Sequence, residues 1–225
     1  MRIFHVSDQH GKRFPEVPND VDVVVSSGDF LPDCPYIGVS SGDIKNIKFQ
    51  RNWITNNAKK IVTWLNGKPF IMCNGNHDRF NQVADILRHY GAECYNVTFG
   101  TMSLQGVKFV GFPWINYIYG EWNYEVMQDK MKELMYEFHT EHFLEKTPDI
   151  LIAHAPPYGI LDNEDSYDRT THYGNRVLAD YIDYNWVDRL PKAILCGHVH
   201  KANGLINIRG MQISNAATVS RIVEV

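Results

Sequence analysis

A chain of 225 residues, 44% hydrophobic and 21% charged, has the composition of a globular protein able to bury a substantial core. No apolar stretch reaches the ~20 residues that a membrane-spanning helix needs. A net charge of −4 argues against broad polyanion binding, although bound metal ions would reverse that sign locally.

The first predicted strand, 3–6, runs into Ser7-Asp8-Gln9-His10-Gly11, a carboxylate and an imidazole two residues apart. The N-terminus enters this strand with no leader pattern, so a soluble cytoplasmic protein is expected. A second apolar strand, 22–26, ends in Gly28-Asp29. Helical spacing of Ile47, Ile54, Ile61 and Leu65 predicts a helix over 44–65, stopped by Asn66-Gly67. The third strand, 69–73, ends in Gly75-Asn76-His77-Asp78, and a short helix with Val83, Ile86, Leu87 and Tyr90 on one side follows it.

Alternation over 98–112 around Gly106 predicts a β-hairpin, and 122–146 reads as a long amphipathic helix. A buried strand at 149–153 ends in His154-Ala155-Pro156-Pro157, and 158–171 is expected to be a polar loop over the site. A helix over 176–190 precedes the strand 193–196, which breaks at Gly197 and presents His198 and His200. The tail, 204–225, reads as short antiparallel strands separated by Gly210 and Ser214-Asn215. No internal repeat or linker interrupts this order, and one α/β domain with a mixed sheet, 1–225, is expected. The four cysteines contain no C-x-x-C pair, and buried free thiols are expected.

Five strand ends therefore carry Asp8, His10, Asp29, Asn76, His77, His154, His198 and His200. Ligands bind beyond the carboxyl ends of strands in sheets of this kind. Carboxylate, imidazole and amide oxygen without thiolate suit iron, manganese or zinc better than magnesium or calcium. The donors exceed one coordination sphere, so two ions are expected, with Asp29 the economical bridge.

The ordered series Asp-x-His, Gly-Asp, Gly-Asn-His-Asp, a strand-end His and Gly-His-x-His resembles the signature of the calcineurin-like metallophosphoesterases, with all five blocks present between residues 8 and 200. More loosely, Gly111-Phe112-Pro113-Trp114, the stretch from His154 to Asp162, Gly174 and Leu178 resemble the small stand-alone subgroup related to class III cyclic-nucleotide phosphodiesterases. The resemblance implies a four-layer α/β/β/α sandwich with mixed sheets. It also implies two transition-metal ions, of manganese, iron, zinc or nickel. One would be held by Asp8, His10, Asp29 and His200, and the other by Asn76, His154 and His198, with Asp29 bridging. Ions about 3.5–4 Å apart would share a hydroxide that attacks phosphorus. His77, not counted among the ligands, is the expected general acid.

One block departs from the pattern. Phosphoprotein phosphatases of the family place an aspartate three residues after the bridging one, paired with the catalytic histidine. Pro32 occupies that position here, Asp33 follows it, and Asp78 reads as a cap for the next helix.

Trp114 reads either as a platform for a nucleobase or as a packed loop tryptophan. Tyr158, Asp162, His172, Asn175 and Arg176, in or after the loop behind His154, are candidate substrate contacts. Each taken singly reads as a solvated loop or cap residue. Lys12 and Arg13 read as a surface basic pair, and His139 and His142 as part of an exposed polar stripe, lacking the H-E-x-x-H spacing. The expected activity is hydrolysis of a small phosphate ester, a nucleotide above all, as a phosphomonoester or a cyclic or linear phosphodiester. A nuclease is the alternative, disfavoured by the lack of a basic tract. A non-catalytic scaffold is disfavoured by the complete ligand set.

Overall fold

Runs of three to six residues form the strands of the two main sheets. The computed structural model, which describes residues 1–12, 14–35, 44–144, 146–164, 170–185 and 190–225, assembles them into two mixed sheets. The first half of the chain supplies β1 (Arg2–Val6), β2 (Val23–Ser26), α1 (Ile44–Trp64), β3 (Phe70–Met72), α2 (Val83–His89), β4 (Cys94–Asn96), β5 (Thr101–Leu104) and β6 (Val107–Phe112). The second half supplies β7 (Ile115–Asn116), β8 (Glu125–Val126), α3 (Gln128–His142), β9 (Ile150–Ala153), α4 (Arg176–Asn185) and β10 (Ala193–Cys196). A helical turn (His200–Ala202) then leads to β11 (Gly204–Ile208), β12 (Met211–Asn215) and β13 (Ser220–Glu224).

The first sheet has the order β13-β1-β2-β3-β4, parallel except for the edge strand β13. The second has the order β11-β12-β10-β9-β6-β5, with a parallel centre and antiparallel edges β11 and β5. Period-two alternation sorts the side chains of each strand into different layers. Phe4, Val6, Val24, Phe70 and Met72 pack on Ile54, Ala58 and Ile61 of α1 and Leu87 of α2. Their sequence neighbours Ile3, Val23, Val25 and Ile71 pack between the sheets against Phe109, Ile150, Ile152 and Leu195. Val110, Phe112, Leu151 and Ile194 turn the other way, onto Met131, Met135 and Phe138 of α3 and Leu178 of α4. The result is the four-layer α/β/β/α sandwich. Each of these large apolar side chains contributes about 1.5–3 kcal/mol by leaving water.

Three features differ from the sequence expectation. Helix α3 starts at Gln128, not at 122. The Glu125 carboxylate accepts hydrogen bonds from the backbone N–H groups of Ile118 (2.9 Å), Tyr119 (3.1 Å) and Trp122 (3.2 Å). That holds 117–125 as a loop whose return leg, β8, pairs in parallel with β7. His142 is buried rather than exposed, its ring edge-on to Phe138, while His139 stacks on Phe143. Both are packing residues of the α3 layer.

In the tail, β11 and β12 form the expected hairpin, turned at Arg209 and Gly210 with positive φ at both. Ser214 and Asn215, however, belong to β12, and the chain then crosses to the other sheet, where β13 pairs with β1. Alternation assigns a residue to a face but does not say which sheet a strand joins. Helix α4 follows the expected 176–190 segment as far as Asn185. Residues 186–189 and 165–169, with Arg13, lie outside the described residues. All four cysteines are free, and Cys73, Cys94 and Cys196 are buried. Among the described residues no helix is long and apolar enough to cross a membrane.

Candidate metal centre

The loops after β1, β2 and β3 of one sheet meet the loops after β9 and β10 of the other along a single crest. Backbone hydrogen bonds knit them together: Asp8 N–H to Gly28 O (3.0 Å), His10 N–H to Asp29 O (2.9 Å) and Gly197 N–H to His154 O (2.9 Å). The fit is tight enough to leave no room for a side chain at Gly28, Gly75 or Gly197. A Cβ on Gly28, whose φ is +118°, would lie 2.4 Å from His154 Nδ1, and one on Gly197 would lie 2.2 Å from Asp8 Oδ2. Asp8, His10, Asp29 and His198 all adopt positive φ, at 54°, 44°, 52° and 66°. Each such residue costs on the order of 1 kcal/mol or more, and such strain concentrates at functional sites.

The side chains converge. His154 Nδ1 donates to Ser27 O (2.9 Å), which leaves Nε2 2.9 Å from Asn76 Oδ1 and 3.3 Å from Asp29 Oδ2. His200 Nε2 lies 3.1 Å from Asp8 Oδ1, and the Asp8 carboxylate accepts the His198 backbone N–H at 2.9 Å. His10 Nε2 stands 3.9 Å from Asp29 Oδ2, and the His198 ring is 5.1 Å from that of His154. Three triads each bring their donor atoms within 4.8 Å of one another: Asp8-His10-His200, His10-Asp29-His77 and Asp8-Asp29-His154.

This arrangement fits a cation. With Nδ1 protonated, the lone pair of His154 Nε2 faces two oxygen acceptors, an unfavourable contact unless a positive charge lies between them. Among the described residues, His10 Nδ1 is also buried without a hydrogen bond. The titration behaviour carries the same signature. Burial opposes charge on both partners, yet Asp29 and Asp8 hold a proton on His154, raising its pKa to about 9. Burial would also raise Asp29, but the charge of His154 and then of His77 holds it well below the usual carboxylate range. Burial, reinforced by the neighbouring His154 charge, lowers His198 to about 4.

His77 stands at the rim. Its backbone N–H donates to Asp29 Oδ1 (2.8 Å), its Nδ1 lies 2.8 and 2.9 Å from the two Asp33 oxygens, and its Nε2 lies 3.9 Å from Asp29 Oδ2. The aspartate one place beyond Pro32 thus reaches the histidine. Burial opposes protonation of His77, but Asp29 and then Asp33 raise its pKa. Asp78 does not cap α2. Buried, it accepts from the backbone N–H of Gly75 (2.9 Å), Leu31 (2.9 Å) and Phe30 (3.3 Å), tying the β2 and β3 loops together.

Two further residues escaped sequence reasoning. Gln50 of α1 donates to His77 O (2.8 Å) and accepts from Arg79 N–H (2.8 Å), holding the loop that carries His77 from below. Trp122, in the 117–125 loop, packs its ring 4.1 Å from that of His77. Gln50 departs from the apolar spacing of its helix as a buried polar residue. Trp122 carries no motif.

A cavity of about 420 Å³ opens on the cluster, with Asp8, His10, Lys12, Asp33, His77 and His200 in its walls. Trp114, Tyr158, Asp162 and Arg176 do not line it. Trp114 packs between Phe99 and Phe112, at ring distances of 5.3 and 5.0 Å. Asp162 is buried, its carboxylate engaged by His172 Nδ1 (2.8 Å) and the N–H groups of Gly159 (3.0 Å) and Gly174 (3.1 Å). Arg176 donates to Tyr158 OH (2.8 Å), its guanidinium 3.9 Å over that ring. These contacts organise the loop behind His154.

A family model described as calcineurin-like phosphoesterase matches residues 1–202. No curated protein matches the chain by sequence. One solved structure superposes with a TM-score of 0.63 at 14% identity, covering 96% of this chain and 90% of its own. A Staphylococcus aureus protein provisionally named a 5′-nucleotidase, solved with α-ketoglutarate, superposes with a TM-score of 0.50 at 14% identity. That match covers 95% of this chain and 48% of the other. Both likenesses are of fold.

Proposed function

The chain belongs to the calcineurin-like phosphoesterase family and is a metal-dependent phosphoester hydrolase, and from that premise we propose that it cleaves a small phosphate ester, a nucleotide above all, at a two-metal centre. Asp8, His10, Asp29 and His200 hold one ion, and Asn76, His154 and His198 hold the other, with Asp29 shared. Manganese, iron, zinc and nickel all suit this mixture of carboxylate, amide and imidazole. When bound, such ions supply water of lowered pKa and neutralise charge on phosphate oxygens.

The observation that carries the reading is the setting of His77. Asp33 accepts from Nδ1 at 2.8 Å, so the ring is fixed with Nε2 turned toward the Asp29 edge of the cluster. Burial opposes charge on the ring while Asp29 and Asp33 favour it, and with Nδ1 taken by Asp33 it is Nε2 that would carry the proton a leaving ester oxygen needs. Lys12, in the cavity wall, adds a positive charge for an anionic substrate. The net charge of −4 favours a small ester over a polynucleotide.

Removal of the acid tests the reading. His77→Ala is expected to keep the wild-type metal content and to lose about 10²–10⁴-fold in kcat. Release from nucleoside monophosphates, cyclic nucleotides and a labelled oligonucleotide would be compared under one metal condition. Wild-type turnover by the variant would remove His77 from the chemistry, and preferential cleavage of the oligonucleotide would make the protein a nuclease.

A further inference from the structure

A second cavity, of about 400 Å³, adjoins the metal centre, and Gln9 and Thr218 line both. Two segments far apart in sequence build it. Phe14 and Pro15 form one wall, the Phe14 ring set against those of Trp64 (5.1 Å) and Phe30 (5.9 Å). The crossover into β13 forms the other. There Thr218, at φ 61°, donates its N–H to Ser7 O (3.1 Å), and Val219 N–H is tied back to Ala216 O (3.1 Å). Ser220 sits opposite Val6 in the β1–β13 register. Directly opposed residues share a face, and Val6 belongs to the helix-side layer with Phe14. Ser220 therefore turns to the same side as Phe14.

No charged side chain lines this second cavity among the described residues, whereas the first carries Lys12 with the carboxylates and histidines. We infer that the uncharged cavity is the subsite for the organic group of the ester, and that it takes a neutral heteroaromatic ring of nucleoside size. The inference rests on the reading of the crest as a phosphoester centre, since the shared rim is what makes this cavity its continuation. A phosphate dianion belongs beside cations. The ring attached to it loses little on leaving water for Phe14, Pro15 and Val219. The Ser220 hydroxyl, in the cavity wall, can meet its polar edge. The volume lies within the ~300–1,000 Å³ range of small-molecule sites.

The test separates the subsite from the metal chemistry by using adenosine, which has no phosphate, as the probe for metal-free protein. Ligand-observed NMR is expected to show adenosine bound by wild type, and weakened about tenfold or more by Val219→Trp and independently by Ser220→Phe, each of which fills the cavity. In the manganese-loaded enzyme the same substitutions should raise KM for a nucleoside monophosphate about tenfold. They should leave kcat, and both constants for glycerol phosphate, within about twofold. Adenosine that binds the variants as it binds wild type, or does not bind wild type, overturns the inference. So does an equal rise in KM for both esters. Loss of adenosine binding in the variants of a protein that hydrolyses no ester under any metal would uphold the subsite and end the reading of the crest.

Discussion

Two fully buried histidines, both bonded to Ser27, show what separates a structural seam from a reactive centre. His5, in the layer between the sheets, lies 2.9 Å from Ser27 Oγ and 2.8 Å from Ser214 Oγ. His154, on the crest, donates to Ser27 O (2.9 Å) and turns its other nitrogen toward Asn76 and Asp29. Burial, with the charge of Arg221, drives the His5 pKa down to about 3. The same burial is overridden at His154, where Asp29 and Asp8 raise it to about 9. Hydroxyls can donate or accept, so they satisfy a neutral imidazole in either tautomer. Carboxylates can only accept, and a cluster of them demands a proton or a metal ion. Burial alone therefore does not make a metal site; converging acceptors do.

The largest expected effect breaks the seam side of this contrast. Because the folded pKa of His5, about 3, lies below its ordinary 6.5, the unfolded chain binds the extra proton between those values. The His5 contribution is then fully present above pH 6.5 and is lost as pH falls toward 3, by up to about 5 kcal/mol. Urea unfolding of His5→Gln at pH 7 and pH 4 should show a shallower acid loss than wild type. Parallel losses would leave His5 without this role.

The crest side responds differently. Asp29→Asn should abolish stable metal loading and reduce turnover about 10³-fold, beyond the ~10–100-fold cost of removing a group that only orients a ligand. Imidazole ¹⁵N NMR of the metal-free variant should find His154 titrating well below the wild-type value of about 9, because the carboxylate that held its proton is gone. An unmoved His154 would break the comparison.

The smallest effect sharpens it. His77 is an imidazole between the two extremes, partly exposed and bonded through one nitrogen to Asp33. Asp33→Asn should keep the metal content and lower kcat about 10–100-fold, the range for an orienting partner. A variant as active as wild type would show that the His77 ring needs no such anchor.

Much of this was legible along the chain. Phe4 and Ile3, or Ile71 and Met72, point to opposite layers because a strand alternates. The groups Asp8, Asp29, Asn76, His154 and His198 stand one to four residues past the ends of their strands, so locating the strands located the donors. The pairing of His77 with Asp33 could not be found in the same way, nor could the inward turn of Asp78 and Asp162 or the approach of Trp122. Each depends on how a loop folds back, and Glu125 shapes one such loop through three backbone bonds that no pattern announces.

Local order, then, dictates which residues leave the ends of the strands and which face each side chain takes, because backbone stereochemistry sets the two-residue period and glycine permits the breaks. Packing of the two sheets chose the rest: where β13 inserts, which aspartate reaches His77, and what lies beside the metal centre. Those outcomes are set by contacts between segments up to some two hundred residues apart, whose free energy exists only when all the layers are in place.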